Sequence, residues 1–283
     1  MTQFTGEYLF KNHRFIKTGD FQDTIPQDQT IYEVLRVIKG TPLFLREHLN
    51  RLYVSLKILD LKESTDPSLL KPLEDSIRTL IAKNSLKNCN LKIIVAHFNG
   101  RRKLDCYGFF IPSNYPEPRA YAIGVDTILY HGTRENPNAK VYQKELREDV
   151  AKELEKAGAY EALLVNESGE ISEGSRSNVF FVKNEKIYTP PAKQVLLGIT
   201  REKILQLMED HRIPFEIKTI GEKDLEGMTG AFMTGTSPKV LPLRTIGGFH
   251  YASASSPVIQ QIMELYNQLI QREILDDGPP GSS

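Results

Sequence analysis

Tyr160-Glu-Ala-Leu-Leu-Val-Asn-Glu-Ser-Gly-Glu-Ile-Ser-Glu-Gly-Ser-Arg-Ser-Asn-Val-Phe-Phe-Val182 is the stretch on which the fold turns. Tyr160 to Val165 and Asn178 to Val182 are short runs rich in β-branched, apolar and aromatic residues. Asn166-Glu-Ser-Gly169 supplies turn residues between them, so a hairpin is predicted. Ile171-Ser-Glu-Gly-Ser-Arg-Ser-Asn178 interrupts it with small residues around one carboxylate, Glu173. Most loop carboxylates are solvated. One that points into a pocket can instead pair with a protonated ring nitrogen.

Upstream, Leu146, Val150, Leu154 and Ala157 recur at helical spacing and the pattern stops at Gly158, a suitable residue just past a helix end. A strand is expected from about Tyr121 to Tyr130, followed by a loop with Asn136-Pro137 that leads into Lys140. Downstream, Thr189-Pro-Pro191 precedes Leu197-Gly-Ile-Thr200, which opens a helix to about His211. A strand from Phe215 to Ile220, another from Ala231 to Thr234 and a last helix from Pro257 to Glu273 complete this half. The first half reads as a compact α+β unit. Tyr32-Glu-Val-Leu-Arg-Val-Ile38 and Thr41-Pro-Leu-Phe-Leu45 are strands about the turn Lys39-Gly40. Leu49, Leu52, Leu56 and Leu59 mark a helix from Glu47 to about Leu61, and a second helix spans Pro67 to about Asn84. Leu91 to Ala96 and Asp105 to Ile111 pair around Asn99-Gly-Arg-Arg102. The breaker cluster Pro112-Ser-Asn-Tyr-Pro-Glu-Pro118 sets the boundary, giving domains at 1–114 and 119–275 and a polar, disordered tail at 276–283.

Composition narrows the function. The 283 residues carry 36 Lys+Arg against 36 Asp+Glu, a net charge of zero that argues against a general nucleic-acid or membrane-surface binder. No run approaches the roughly 18 apolar residues of a membrane span, and no signal-peptide pattern opens the chain. A cytoplasmic protein is expected. Cys89 and Cys106 are read as reduced thiols, and the six histidines show no metal-ligand pairing, so no metal site is expected.

Lys140 lies between a predicted strand and a helix, where desolvation or a neighbouring cation would make its neutral amine available for a Schiff base. Lys144, among Glu145, Arg147, Glu148 and Lys152, is the weaker candidate. Gly198-Ile199-Thr200 at a helix start and Thr234-Gly-Thr-Ser237 at a strand end look like anion cradles, which Arg51 could supplement with a cation.

The order of these pieces resembles the class IV aminotransferases, a family that includes branched-chain aminotransferases, D-amino acid aminotransferases and aminodeoxychorismate lyases. The resemblance runs from about Tyr32 to Pro242. It is carried by Ile31-Tyr-Glu-Val-Leu-Arg36, Gly40 to Leu45, His48-Leu-Asn-Arg-Leu52, Lys140, Gly158 to Leu164, Glu173 to Asn178, Tyr188-Thr-Pro-Pro191, Leu197 to Arg201 and Thr234 to Ser237. It implies a pyridoxal 5'-phosphate enzyme that moves an amino group between an amino acid, branched-chain L- or D-, and a 2-oxo acid. Lys140 matches the lysine that bonds the cofactor and shuttles the proton. Glu173 matches the partner of the pyridine nitrogen, and Arg51, Ile199, Thr200, Thr236 and Ser237 match the phosphate cup. Tyr32 and His97 match the substrate side. The implied architecture is α+β, with a small α/β N-terminal domain, a larger C-terminal pseudo-barrel domain, the cofactor between them, and a homodimer.

Three positions depart from the family. Gln27-Asp-Gln-Thr-Ile31 replaces a Gly-Asp-Gly-like run. Glu145 stands where branched-chain enzymes have a tyrosine, with Tyr142 a candidate for its place. Ala96-His-Phe-Asn-Gly100 lacks the arginine of D-amino acid enzymes. Two alternatives therefore stand beside the transaminase: a lyase releasing pyruvate, and a non-catalytic relative that keeps the fold.

Overall fold

The computed structural model describes residues 4–26, 30–59, 70–97 and 104–277; for His97 the description covers the backbone alone. The chain divides into two units. One comprises Met1–Asn114, Ala139–Lys144 and Ile270–Ser283, the other Tyr115–Asn138 and Glu145–Leu269. The break in sequence falls within Pro112–Pro118, while Lys140 and the end of the chain group with the N-terminal segment.

The first unit contains β1 (Tyr8–Lys11), β2 (Arg14–Lys17), β3 (Ile31–Ile38), β4 (Thr41–Pro42), α1 (Leu45–Ile58), α2 (Leu70–Asn84), β5 (Asn88–His97) and β6 (Leu104–Ile111). Its six-stranded sheet runs β2-β1-β6-β5-β3-β4. Strand side chains alternate between faces. Ile31, Leu35 and Val37 of β3 therefore join one core with Leu49, Leu52 and Leu56 of α1 and Leu73, Ile77 and Leu80 of α2. Tyr32 joins Ile94, Tyr107 and Phe109 in a second cluster. Each fully buried side chain of this kind contributes about 1.5–3 kcal/mol.

Two features differ from expectation. Leu43 to Leu45 do not extend a strand, because Phe44 takes a left-handed conformation (φ 52°) and Leu45 already starts α1 on the apolar stripe of Leu49 and Leu52. The β1–β2 hairpin was not expected at all. Its two-residue loop, Asn12-His13, has positive φ at both positions, and histidine in place of the usual glycine hides the turn signal.

The second unit contains α3 (Pro118–Ile123), β7 (Val125–His131), α4 (Lys144–Ala157, counted here from Glu145), β8 (Glu161–Val165), β9 (Glu170–Gly174), β10 (Asn178–Lys183), β11 (Lys186–Thr189), α5 (Ile199–Asp210), β12 (Phe215–Ile217), β13 (Ile220–Gly221), β14 (Gly230–Gly235), β15 (Lys239–Ile246), β16 (Phe249–His250) and most of α6 (Pro257–Asp277). A ten-stranded sheet in the order β12-β11-β10-β14-β15-β7-β8-β9-β13, with β16 on β15, curls into a half-barrel. The fold is thus mixed α and β.

Here too the chain corrects its sequence reading. Tyr121 opens no strand: Pro118 sits in the first turn of α3, where a missing N–H costs nothing, and Gly124 (φ 80°) ends it. The hairpin partner of β8 is β9, while β10 pairs with β11 and β14. The small residues 175–177 let the chain cross from one pairing to the other. Phe215 to Ile220 is two strands, one against β11 and one against β9. Ala157 is exposed, and only Val150 of α4 is fully buried. Asp276 and Asp277 are helical, and the rest of the expected tail lies outside the described residues.

Candidate active site

In the first unit the site begins with a violation of strand alternation. Glu33 occupies the same face of β3 as Ile31, Leu35 and Val37 and is wholly buried. A buried carboxylate needs compensation. It comes from α1, where His48, Arg51 and Ser55, at spacings of three and four, share one side of the helix. Arg51 forks onto Glu33, its Nε donating to Oε1 at 2.7 Å and an Nη donating to Oε2 at 2.8 Å. His48 Nδ1 donates to Oε2 at 2.8 Å. Burial alone would push the Glu33 carboxyl up, but the Arg51 charge and the bonds from Arg51 and His48 outweigh it and hold it well below the usual carboxylate range. His48 is driven below the usual histidine range by burial first, against the pull of Glu33, and also by the charges of Arg51 and Lys140.

Lys140 is fastened beside this network through its backbone. Its N–H donates to Ser55 Oγ at 3.1 Å, and Ser55 Oγ donates to the Arg51 carbonyl at 2.9 Å. Its carbonyl accepts from Tyr32 N at 3.1 Å, and Val141 forms an antiparallel bridge with Ile31. The Lys140 ammonium lies 4.9 Å from the centroid of the Tyr32 ring, against which Tyr142 packs edge-on at 6.1 Å. Lys140, Arg51 and Tyr32 are thus brought together. Glu145 is exposed on α4. Residues 27–29 of the altered run and the neighbours of His97 at 98–103 lie outside the described residues; His97 itself pairs with Leu104.

The second unit carries the other candidates. Glu173, at the end of β9, is 2% exposed. Its Oε1 accepts from Arg134 Nε at 3.0 Å, and its Oε2 from Leu196 N at 3.0 Å and Asn178 Nδ2 at 3.5 Å. The turn that follows is held by buried Glu161, which accepts from Ser175 Oγ at 2.6 Å and Ser177 Oγ at 3.1 Å. Asn178 lies opposite Thr234 in the β10–β14 pairing, next to the Phe180–Phe232 pair whose rings stack at 4.8 Å. Thr234 Oγ1 is buried with no partner among the described residues. Ile199 and Thr200 form the first turn of α5, preceded by Gly198 with no side-chain cap. Thr236 and Ser237 lie in the half-buried turn between β14 and β15.

Each unit carries features that suit a part of pyridoxal phosphate: the second an uncapped helix N-terminus for an anion, a buried carboxylate for a ring nitrogen and a hydroxyl, Thr234 Oγ1, without a partner among the described residues, the first a lysine held by its backbone. Glu33, His48, Glu161 and Asn178 stand inside the motifs read from the sequence but receive no role there, and Arg134 is not singled out at all. Glu33 left a signal, a charge on the apolar parity of a strand. Arg134 left none, being one basic residue in a loop. Cys89 and Cys106 are both pushed up to about 12 by burial, with Asp105 adding to the effect on Cys106, which suits inert thiols. Among the described residues, no group of three or more His, Cys, Asp and Glu could hold a metal ion.

Comparison with known proteins agrees with this chemistry. The model of amino-transferase class IV matches residues 30–246. The chain is 28% identical over 255 residues to a D-alanine aminotransferase of Bacillus licheniformis, covering 86% of this chain and 88% of the relative. It is 27% identical to a branched-chain-amino-acid aminotransferase of Pseudomonas aeruginosa, covering 82% and 80%. Among solved structures, the T.th. branched-chain amino acid aminotransferase with pyridoxamine 5'-phosphate superposes with TM-score 0.84 at 23% identity, covering 99% and 97%. That of Escherichia coli superposes with TM-score 0.82 at 22% identity, covering 95% and 96%. The chain belongs to the class IV aminotransferases. It is a pyridoxal-phosphate-dependent enzyme that transfers amino groups between amino acids and 2-oxo acids.

Proposed function

We propose that Lys140 is the catalytic residue, and that the enzyme acts on a branched-chain L-amino acid or a D-amino acid with a 2-oxo acid as acceptor. The observation that carries this reading is the fastening of Lys140 through both its N–H and its carbonyl, with its amine over Tyr32. A residue whose backbone is fixed at two points delivers its amine reproducibly, as proton transfer at one carbon requires. The cofactor, when bound, supplies the electron sink for the carbanion. This chain's own residues do the rest. Lys140 Nζ takes and returns the substrate's Cα proton, and Glu173 holds the ring nitrogen charged. The α5 N-terminus with Ile199, Thr200, Thr236 and Ser237 binds phosphate, and Arg51 adds a cation. Tyr32 is assigned to the substrate side, and His97, whose backbone lies in the same sheet, is assigned there with it.

Purified enzyme supplied with pyridoxal phosphate should absorb visible light, as the cofactor would when held by a lysine. Lys140→Ala should lose that band while still binding cofactor reversibly; a colourless wild type indifferent to added cofactor would refute the assignment. Spectroscopic half-reactions with a panel of L- and D-amino acids then assign hand and side chain. A cytoplasmic homodimer is the state proposed, and light scattering that returns a monomer mass would overturn it. No described helix is long and apolar enough to cross a membrane.

A further inference from the structure

Glu173 is assigned to the cofactor nitrogen, yet its carboxylate is also bonded to Arg134, a residue with no role so far. Arg134 leaves β7 through the loop toward Asn138, and its side chain is 7% exposed against 3% for Glu173. It forks. Nε donates to Glu173 Oε1 at 3.0 Å, and an Nη donates to the carbonyl of Ser175 at 2.9 Å, in the turn immediately after the carboxylate. One planar group therefore holds both the charge of Glu173 and the backbone that carries it. A guanidinium stays protonated under all ordinary conditions, so the charge it presents is permanent.

We infer that Arg134 is the positioning residue that keeps Glu173 ionised and fixed, so that a proton shared between Glu173 and the cofactor's ring nitrogen resides on the nitrogen. The inference rests on the assignment of Glu173 to that nitrogen. A cation bonded directly to a carboxylate lowers its basicity more than that of a base lying beyond it. With Arg134 present, the pair is a carboxylate and a pyridinium; without it, the proton can pass to the glutamate and the ring loses electron-withdrawing power.

Three other polar groups described near Glu173 are engaged differently. Arg201 of α5 is buried and senses the Glu173 charge, but its guanidinium donates to the Pro190 carbonyl at 2.9 Å, and its Nε has no partner among the described residues. Glu161 is an anion, and its bonds go to Ser175, Ser177 and the backbone N–H groups of Ala162 and Arg176. Asn178 Nδ2 and the Leu196 N–H also donate to Glu173 Oε2, at 3.5 and 3.0 Å, but both are neutral donors and bring no charge.

The experiment compares wild type, R134Q, R134K, E173Q and the double variant R134Q/E173Q as holoenzymes. It measures the cofactor dissociation constant, the visible absorbance of the bound cofactor from pH 5 to 9, and kcat and KM for an amino donor that the wild type accepts. R134Q should weaken cofactor binding about tenfold, displace the pH profile of the absorbance and lower kcat tenfold or more, with KM changed less than about threefold. R134K keeps the charge but cannot fork, and should fall between. In the E173Q background, adding R134Q should shift the absorbance profile no further. If R134Q lowers only thermal stability and leaves the absorbance profile and kcat at wild-type values, Arg134 is structural and the inference fails. Should R134Q not fold, an R134K profile equal to that of wild type, with equal kcat, overturns it in the same way. If E173Q itself leaves the profile unchanged, the assignment of Glu173 falls first, a result separable from failure at Arg134 alone.

Discussion

Glu33 concentrates the electrostatic stakes of the first unit in one side chain. Glu33→Ala removes the buried carboxylate that Arg51 forks onto and that His48 bonds, and should destabilise the protein by about 3–5 kcal/mol in denaturant unfolding. The pH dependence follows from two depressed values. His48 titrates lower in the folded protein than in the unfolded chain. The unfolded state therefore binds the extra proton, and stability should begin to fall as pH drops below about 6.5. Glu33 is depressed too, so its contribution is present above the unfolded carboxylate value and is lost as pH falls below about 4. Replacing His48 with Gln should flatten the first slope and leave the second; unfolding free energies measured from pH 3 to 8 would show both. At this scale the sequence was partly readable. Lys140 and Glu173 stood out by their flanks. Glu33 was detectable by parity, whereas its partners became visible only once α1 lay on β3.

The loop-to-helix junction at Gly198 is held by space rather than by torsion. Its φ of −69° suits any residue, but a Cβ there would come within 2.0 Å of Asn178 Oδ1. Asn178 cannot swing aside without releasing the Leu196 carbonyl. Gly198→Ala should therefore cost about 1–3 kcal/mol of stability by overpacking. It should also weaken binding of pyridoxal phosphate, measured by titrating the apoenzyme. A variant with unchanged affinity would show that this junction does not shape the anion cradle. Helix α5 and strands β3, β5, β6 and β14 were legible because periodicity and flanking breakers agreed. Strands β9 and β15 were not. Strand β9 is interrupted by polar and small residues, and its place depends on pairing with β8, a tertiary fact that local propensity does not contain.

For the whole molecule, cofactor binding and folding are linked. A ligand that binds only the native state at a hundredfold excess over its dissociation constant adds about 2.7 kcal/mol, enough to raise Tm by several degrees in a chain of this size. Pyridoxal phosphate should do this for wild type and do so less for Lys140→Ala, with inorganic phosphate giving a smaller shift in both; calorimetry with each ligand distinguishes them.

The composition of the first unit also has a consequence for the order of synthesis. That unit is begun first, yet Ser55 waits for the Lys140 N–H, Phe44 N waits for Glu273 Oε1 at 3.0 Å, and Arg78 waits for Asp277 at 2.8 Å. On the ribosome, an N-terminal piece ending at Asn114 therefore emerges with its sheet strands in hand but without the segment that carries the amine and without Ile270 and Ile274, both buried in the finished protein. The unit that appears earliest is thus completed only after α6 has been made, later than its own sheet strands and later than the segment that carries Lys140.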